Sequence, residues 1–177
     1  MSEKQKLLIV DDSELNRDIL KEILGSSYDY LEAENGNQAI QIMGENPGID
    51  LMLLDINMPQ RDGFEVLKWM KQSLCIEETP VIMISSEESV DTMRKAYEMG
   101  ITDYITRPFD AVIVKKRVQN TLGLYMNQKH LINVVYDQVY EKEENNNIMI
   151  RILSNVLGSR NSESREHILH IKTATEL

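Results

Sequence analysis

Short apolar runs alternate with helical patterns over the first 110 residues, and this alternation restricts the possible folds more than any other feature of the chain. Residues 7–10, 51–54 and 81–84 are uninterrupted apolar runs, which is typical of strands covered on both faces. Residues 15–24 are amphipathic at helical spacing. Strands that alternate with helices build a parallel sheet with helices on both faces. We therefore expect an α/β fold.

Each predicted strand that can be delimited clearly is followed by a polar or charged residue. These residues are Asp11, Asp12, Asp55, Ser85 and Arg107. In a parallel sheet the carboxyl ends of the strands open onto one crevice, where α/β folds bind their ligands. Three carboxylates, one hydroxyl and one cation would therefore meet there. This set suits the transfer of a phosphoryl group with a divalent metal.

Simple chemistry gives each of these residues a candidate role. The three acids and the backbone carbonyl of Asn57 offer the oxygen ligands that Mg²⁺ prefers, and a carboxylate can also accept a phosphoryl group. Ser85 could donate a hydrogen bond to a transferring oxygen, and Arg107 could neutralise developing charge. The alternative is ordinary capping, because an acidic pair after a strand is often a helix N-cap with a solvated neighbour. The joint placement of the residues favours the functional interpretation.

Charge and composition exclude several other classes. The formal net charge of −10 argues against a nucleic-acid surface, which normally carries a basic patch, and against anionic membranes. No apolar run approaches the length of a membrane span, and the first one is too short for a signal peptide. A cytoplasmic protein is expected. Cys75 is the only cysteine, so no internal disulfide can form.

The chain changes character beyond Phe109. From residue 110 to about 140 it reads as one long helix with apolar residues at alternating steps of four and three: Val118, Leu122, Tyr125, Ile132, Tyr136 and Val139. This seven-residue repeat predicts either a coiled coil or a long amphipathic helix packed on its own domain. Residues 141–147 are predicted to interrupt it. Further helices are expected at residues 148–157 and 163–173, separated by a loop at residues 159–162.

Residues 5 to about 123 resemble the receiver domain of two-component response regulators. That family has an acidic pair after strand one and an Asp followed by Met-Pro and Gly-Phe after strand three. Ser or Thr follows its strand four, and Lys-Pro-Phe follows its strand five. The matching segments here are residues 10–12, 54–59, 62–64, 84–86 and 103–109. The resemblance implies a doubly wound, five-stranded parallel sheet of flavodoxin-like order 2-1-3-4-5, with a long C-terminal helical extension.

The resemblance also implies a phosphorylation site and a metal site. Asp55 would accept a phosphoryl group from a histidine kinase or phosphotransfer protein. Asp12, Asp55 and the carbonyl of Asn57 would bind Mg²⁺, while Asp11 would support the metal through water. Ser85 would move to contact the phosphoryl group.

Tyr104 and Arg107 are two further residues of the motif. Tyr104 would swing inward as a switch residue, although an isolated aromatic on such a strand would be interpreted as half-exposed. Arg107 stands where the family has Lys, and its planar fork is wider than an ammonium group but can clasp phosphate with two donors. We hypothesise that phosphorylation survives with an altered lifetime. The bond between Arg107 and Pro108 matches one that is cis in the family, with an ordinary trans bond as the alternative.

The C-terminal segment, residues 148–177, resembles the opening of an HD-GYP domain, a class of cyclic-di-GMP phosphodiesterases. Glu163 and His167 lie four residues apart, so they would share a helix face and could form a vestigial metal pair. Arg165 replaces the Gly of that family, and the paired His-Asp and Gly-Tyr-Pro segments do not occur in the sequence. Two ligands from one helix do not close a metal site, so we expect no hydrolysis by this segment, which resembles an incomplete domain.

The sequence is compatible with three functions. The first is a phospho-accepting receiver (residues 5–123) with a helical linker (124–147) and the HD-GYP-like segment (148–177), working with Mg²⁺ and a kinase, and pairing as a homodimer through its last helix. The second is a receiver-controlled cyclic-di-GMP phosphodiesterase of which this chain is an inactive fragment. The third is a pseudo-receiver that only binds partners. A DNA-binding regulator is disfavoured, because no basic recognition helix is present.

Overall fold

The computed structural model describes residues 4–86 and 89–174, with side chains described as far as residue 152 except at position 143. The chain divides into two compact units, Met1–Asn127 and Gln128–Leu177. Within the described residues no helix combines the length and apolar character that crossing a bilayer requires.

The first unit is built on a five-stranded parallel sheet of order β2-β1-β3-β4-β5. Its strands are β1 (Gln5–Val10), β2 (Tyr28–Ala33), β3 (Leu51–Asp55), β4 (Val81–Ser85) and β5 (Asp103–Thr106). The helices are α1 (Glu14–Leu24), α2 (Gly36–Glu45), α3 (Gly63–Gln72), α4 (Cys75–Glu78), α5 (Val90–Glu98) and α6 (Ala111–Ala174). The order confirms the predicted doubly wound sheet with a long C-terminal helix.

Two apolar cores lie on opposite faces of the sheet, because successive side chains of a strand point to opposite sides. In β1, Leu8 and Val10 belong to one core, whereas Leu7 and Ile9 belong to the other. The first core packs against α2, α3 and α5, and the second contains side chains of α1 and α6. The central strands β3 and β4 are buried at every position, which explains their uninterrupted apolar sequences.

Polar caps start the helices that follow the strands. The side chain of Ser13 accepts a hydrogen bond from the backbone N–H of Asn16 at the start of α1. Asp62 and Glu65 form a reciprocal capping box at the start of α3, which satisfies backbone donors that would otherwise lack partners. These caps fix the first turns of α1 and α3 beside the carboxyl edge of the sheet.

The C-terminal region differs from the prediction. We expected an interruption at residues 141–147 and a loop at residues 159–162, but α6 continues through both. Both segments lack Pro, and Asn and Ser lower helix propensity by only a fraction of a kcal/mol per residue, which is too little to end a helix. The short helix α4 was also missed by the sequence analysis.

Candidate functional site

Three carboxylates meet at the carboxyl edge of the neighbouring strands β1 and β3. Asp11 and Asp12 directly follow β1, and Asp55 is the last residue of β3; these strands are paired with Val10 opposite Leu54. One carboxylate oxygen from each acid lies within 4.8 Å of the others. Asp11 is 0 % and Asp55 is 2 % exposed, whereas Asp12 is exposed. The cluster fits a hard cation that keeps several waters, because two ligands are buried and one faces solvent.

Asp11 is held in one orientation by donors around it. Its Oδ1 accepts hydrogen bonds from the backbone N–H of Ser13 at 2.9 Å and from Nδ2 of Asn16 at 3.0 Å. Its Oδ2 lies 2.9 Å from Nη2 of Arg107. Asn16 was missed by the sequence analysis; the available signal was its place in the first turn of a helix that starts immediately after the acidic pair.

Arg107 brings a positive charge into the cluster. The same Nη2 atom that contacts Asp11 also forms an ion pair with Asp55, so one guanidinium bridges two of the three acids. Its Nε is buried and has no hydrogen-bond partner within the described part of the chain. The Arg107–Pro108 peptide bond is cis, as the resemblance implied. The guanidinium lies 5.9 Å from the centre of the Phe109 ring.

Burial raises the pKa of the Asp55 carboxyl from 3.8 to about 6. Removal from water is the largest cause, because it penalises the charged form. The Arg107 cation opposes this effect, and the neighbouring Asp11 and Asp12 add to it. A carboxylate in this position gains more from an added cation than an exposed one does.

Ser85 ends β4, and Arg107 directly follows the neighbouring strand β5. Both strands lie on the side of β3 away from β1. Ser85 is the fully buried last residue of β4, and its carbonyl accepts a 2.9 Å hydrogen bond from the backbone N–H of Arg107. Asn57 lies two residues beyond Asp55 and is exposed. The structure therefore places the predicted site residues of the first unit at one edge of the sheet.

Tyr104 lies in β5, on the strand that leads to Arg107. It is 3 % exposed and belongs to the core that packs against α3 and α5. An ordinary half-exposed strand aromatic is therefore the wrong interpretation. Tyr104 faces inward in this structure, and its movement as a switch residue stays a prediction.

A close backbone approach fixes the loop after Asp55. A Cβ atom at Gly63 would collide with the carbonyl oxygen of Asp55 and would lie 3.1 Å from Cα of Ile56. The N–H of Gly63 donates a 2.9 Å hydrogen bond to the carbonyl of Ile56. Only glycine lets α3 start directly against the end of β3, so Gly63 sets the path of the loop that contains Asn57.

Fold and site together define the class of domain: a doubly wound α/β domain with a buried acidic cluster at the carboxyl edge of its parallel sheet. Residues 7–119 match the sequence model of the response regulator receiver domain. The chain belongs to this family, whose members act in two-component signalling and interact with histidine kinases or phosphotransfer proteins.

Individual relatives agree with this assignment. The chain is 33 % identical over 120 residues to a chemotaxis protein CheY homolog of Campylobacter jejuni, covering 67 % of this chain and 92 % of the relative. It is 29 % identical over 170 residues to a probable cyclic di-GMP phosphodiesterase of Vibrio cholerae, covering 92 % of this chain and 38 % of the relative. Among solved structures, the receiver domain of a putative Luxo repressor protein from Vibrio parahaemolyticus superposes with a TM-score of 0.68 at 27 % identity, covering 73 % of this chain and 98 % of that one.

The second unit contributes no described site residue. The side chains of Glu163 and His167 lie outside the described residues, so their predicted pairing as metal ligands stays a prediction.

Proposed function

We propose that this chain is a phosphorylation-controlled receiver in which Asp55 accepts a phosphoryl group from a histidine kinase or phosphotransfer protein. The observation that supports this most strongly is the meeting of Asp11, Asp12 and Asp55 at one edge of the sheet, with Arg107 beside them. In the transfer, an oxygen of Asp55 bonds to phosphorus while the bond from phosphorus to the donor nitrogen breaks, and the imidazole leaves.

The acid cluster would hold Mg²⁺ through Asp12, Asp55 and the carbonyl of Asn57, with Asp11 acting through water. When bound, the ion would supply positive charge against the phosphoryl oxygens. Asp11 suits an indirect role, because Ser13 and Asn16 already donate hydrogen bonds to its carboxylate. Asn16 is a positioning residue in this proposal.

Arg107, Ser85 and Tyr104 would respond to the phosphoryl group. The unpaired Nε of Arg107 is a buried donor that could serve a phosphoryl oxygen without requiring Nη2 to leave Asp11. Ser85 would donate from the adjacent strand end, and the packing of Tyr104 would report the change. Because Arg offers a fork where Lys offers one point of contact, we expect a phosphoryl lifetime different from that of the Arg107→Lys variant.

Incubation with a small phosphodonor and Mg²⁺, followed by mass spectrometry of the intact chain and its peptides, tests the proposal. We expect one added phosphoryl group on Asp55, absent from Asp55→Asn and retained in Asp29→Asn, a matched change at an exposed carboxylate on the edge strand β2. If Asp55 stays unmodified in the folded wild-type chain, the protein is a pseudo-receiver and the proposal is wrong.

A second candidate function is control of cyclic-di-GMP hydrolysis. Its support is the alignment of 92 % of this chain with the probable phosphodiesterase of Vibrio cholerae, together with Glu163 and His167 in the sequence. The chain spans 38 % of that relative, so we expect no hydrolysis by these 177 residues. Finding His-Asp and Gly-Tyr-Pro segments in the natural reading frame past Leu177 would support this function, and a stop codon there would exclude it.

Two finer points belong to the same proposal. Self-association through α6 would give the receiver a route to its output. A cytoplasmic location stays a prediction from the sequence.

A further inference from the structure

The second unit exposes a continuous apolar face on α6. Five side chains at positions i, i+1, i+4, i+5 and i+8 line one open groove: Leu131, Ile132, Val135, Tyr136 and Val139. Each is between 46 and 71 % exposed. This spacing places them on one side of a helix, so they form a single stripe, which we call the first apolar block.

The opposite side of the same turns is polar. His130, Asn133, Asp137 and Glu141 are all exposed, and they fall on the far side from the first apolar block. A helix with one apolar and one polar side is stable in water when its apolar side is covered. The first apolar block therefore requires a partner surface.

A second apolar block follows after a polar tract. Ile148, Met149, Ile150 and Ile152 are each at least 52 % exposed, and the tract between the blocks, residues 141–147, consists of charged residues and asparagines. The order along the helix is thus nine residues of apolar block, a polar tract and a shorter apolar block.

We propose that the first apolar block, together with Met149 and Ile150 on the same side of the helix, contacts α6 of a second copy of this chain, with the two helices parallel and in register. This specifies the self-association proposed above, but it does not depend on phosphorylation of Asp55. The partner is a second copy because the pattern is self-complementary: parallel pairing sets each block against its own equal and the polar tract against itself, as a symmetric dimer requires. An antiparallel arrangement centred on the polar tract would set the long block against the short one. An antiparallel arrangement centred on Tyr136 would pair the first block with itself, but it would leave Met149 and Ile150 without their equals opposite them.

The centre of the first apolar block brings no like charges together in this pairing. In the heptad frame where Ile132 and Val139 are d positions and Tyr136 is an a position, the flanking g and e positions are Val135 and Tyr140. These pair across a parallel dimer, so no like charges meet at this step.

The polar residue at the preceding a position also has a recognised effect. Lys129 occupies that position, and Glu143 occupies the a position after Tyr136. A polar residue at an a position lowers stability but helps to specify register and oligomeric state. It therefore favours one in-register arrangement.

The exposed area is sufficient for a dimer. The five residues of the first block, together with Met149 and Ile150, expose on the order of 800 Å² per chain, which is about the area that each partner buries in a standard interface. A contact of this size can hold two chains together when its centre is apolar.

Light scattering of the full chain during size-exclusion chromatography tests the partner. We expect a dimer with or without beryllofluoride. Ile132→Glu should weaken the dimer at least ~100-fold, because each chain then buries a charge in place of an apolar side chain. The matched control is Val134→Glu, which makes the same kind of change two positions away, on the outer side of the helix, and should leave the dimer intact.

Orientation is tested by cross-linking in a Cys75→Ser background. Val139→Cys should form an intermolecular disulfide under mild oxidation, because identical d positions face each other in a parallel pair, whereas Val134→Cys should not. A wild-type monomer at all concentrations, an intact Ile132→Glu dimer, or a dimer that does not cross-link at position 139 would overturn the inference.

Phosphorylation separates this inference from the proposed function. Monomeric Ile132→Glu should remain folded by circular dichroism and should still accept a phosphoryl group on Asp55. A dimer that cannot be phosphorylated would refute the proposed function and leave the helix pairing standing.

Discussion

Asp55→Asn should stabilise the fold at neutral and alkaline pH while it abolishes phosphoryl acceptance. Burial raises the pKa of the Asp55 carboxyl from 3.8 to about 6. The folded chain therefore binds this proton more tightly than the unfolded chain does. The contribution of the Asp55 carboxyl to the free energy of unfolding is therefore most favourable below about pH 4, and it decreases as the pH rises to about 6.

The size of the effect follows from the shift. One pKa unit corresponds to 1.36 kcal/mol, so a shift of about two units costs about 3 kcal/mol above pH 6. Asn has nearly the same shape and no charge to desolvate. Since the opposing effect of Arg107 is already contained in the shifted pKa, we expect Asp55→Asn to gain about 2–3 kcal/mol at pH 8 and only about 1 kcal/mol near pH 4.5.

Urea titrations in the presence of a chelator measure this difference, followed by circular dichroism and by the fluorescence of Trp69, which packs against the first core. Asp29→Asn is the control for a lost negative charge at an exposed position, and it should change the free energy of unfolding by less than about 0.5 kcal/mol. A gain that is equal at both pH values, or no gain at pH 8, would refute the argument that burial of the ionised Asp55 is costly. Saturating Mg²⁺ should reduce the difference in the free energy of unfolding between Asp55→Asn and the wild-type chain, because the ion stabilises the wild-type chain.

Two other perturbations have expected outcomes. Gly63→Ala places a methyl group against the backbone of Asp55, so it should lower the free energy of unfolding by about 1–3 kcal/mol and impair phosphorylation. The control is Gly44→Ala, whose methyl group meets nothing within 4 Å and which should be neutral or stabilising in denaturant titrations. Equal effects of the two variants would contradict the role of the close approach. Arg107→Ala removes the cation from Asp11 and Asp55 and should tighten Mg²⁺ binding in calorimetry by about tenfold or more, while lowering the metal-free midpoint of thermal unfolding. Unchanged affinity would mean that the guanidinium does not oppose the metal.

The central strands could be predicted because their surroundings are simple. β3 and β4 are covered on both faces. Their first four residues are therefore all apolar, and such runs are easy to recognise in the sequence. β2 lies at the edge of the sheet and is mostly half-buried, which explains its mixed polarity. The apolar runs that predicted β1, β3 and β4 end within two residues of the observed strand boundaries.

The sequence predicted which residues would meet at the site, but it did not predict the contacts between their side chains. Spacing along the chain placed Asp11, Asp55 and Arg107 at strand ends, and the parallel sheet brought them together. No sequence pattern predicted that Arg107 would bridge two carboxylates, because this contact depends on the reach of one side chain across neighbouring strands. Asn16 was missed for the same reason: its contact with Asp11 is set by the angle at which α1 leaves β1.

For α6 the sequence pattern predicted breaks that the structure does not contain. Its polar tract and its Ser-rich segment were interpreted as breaks, since local composition there is poor in apolar residues. Helix propensity differs little among such residues, and no proline forces an end. Composition alone therefore overstated the number of elements.

The first turns of α6 limit where the chain can be cut. Val114, Val118 and Leu122 are buried in the second core beside β1 and β4, so the receiver cannot close that face of its sheet without them. An excised domain that stopped at the end of β5 would expose Leu7, Ile9 and their neighbours and should precipitate. The shortest fragment suitable for expression therefore extends past Leu122, and a cloning boundary placed there removes the exposed remainder of α6 but keeps the scaffold of the acid cluster.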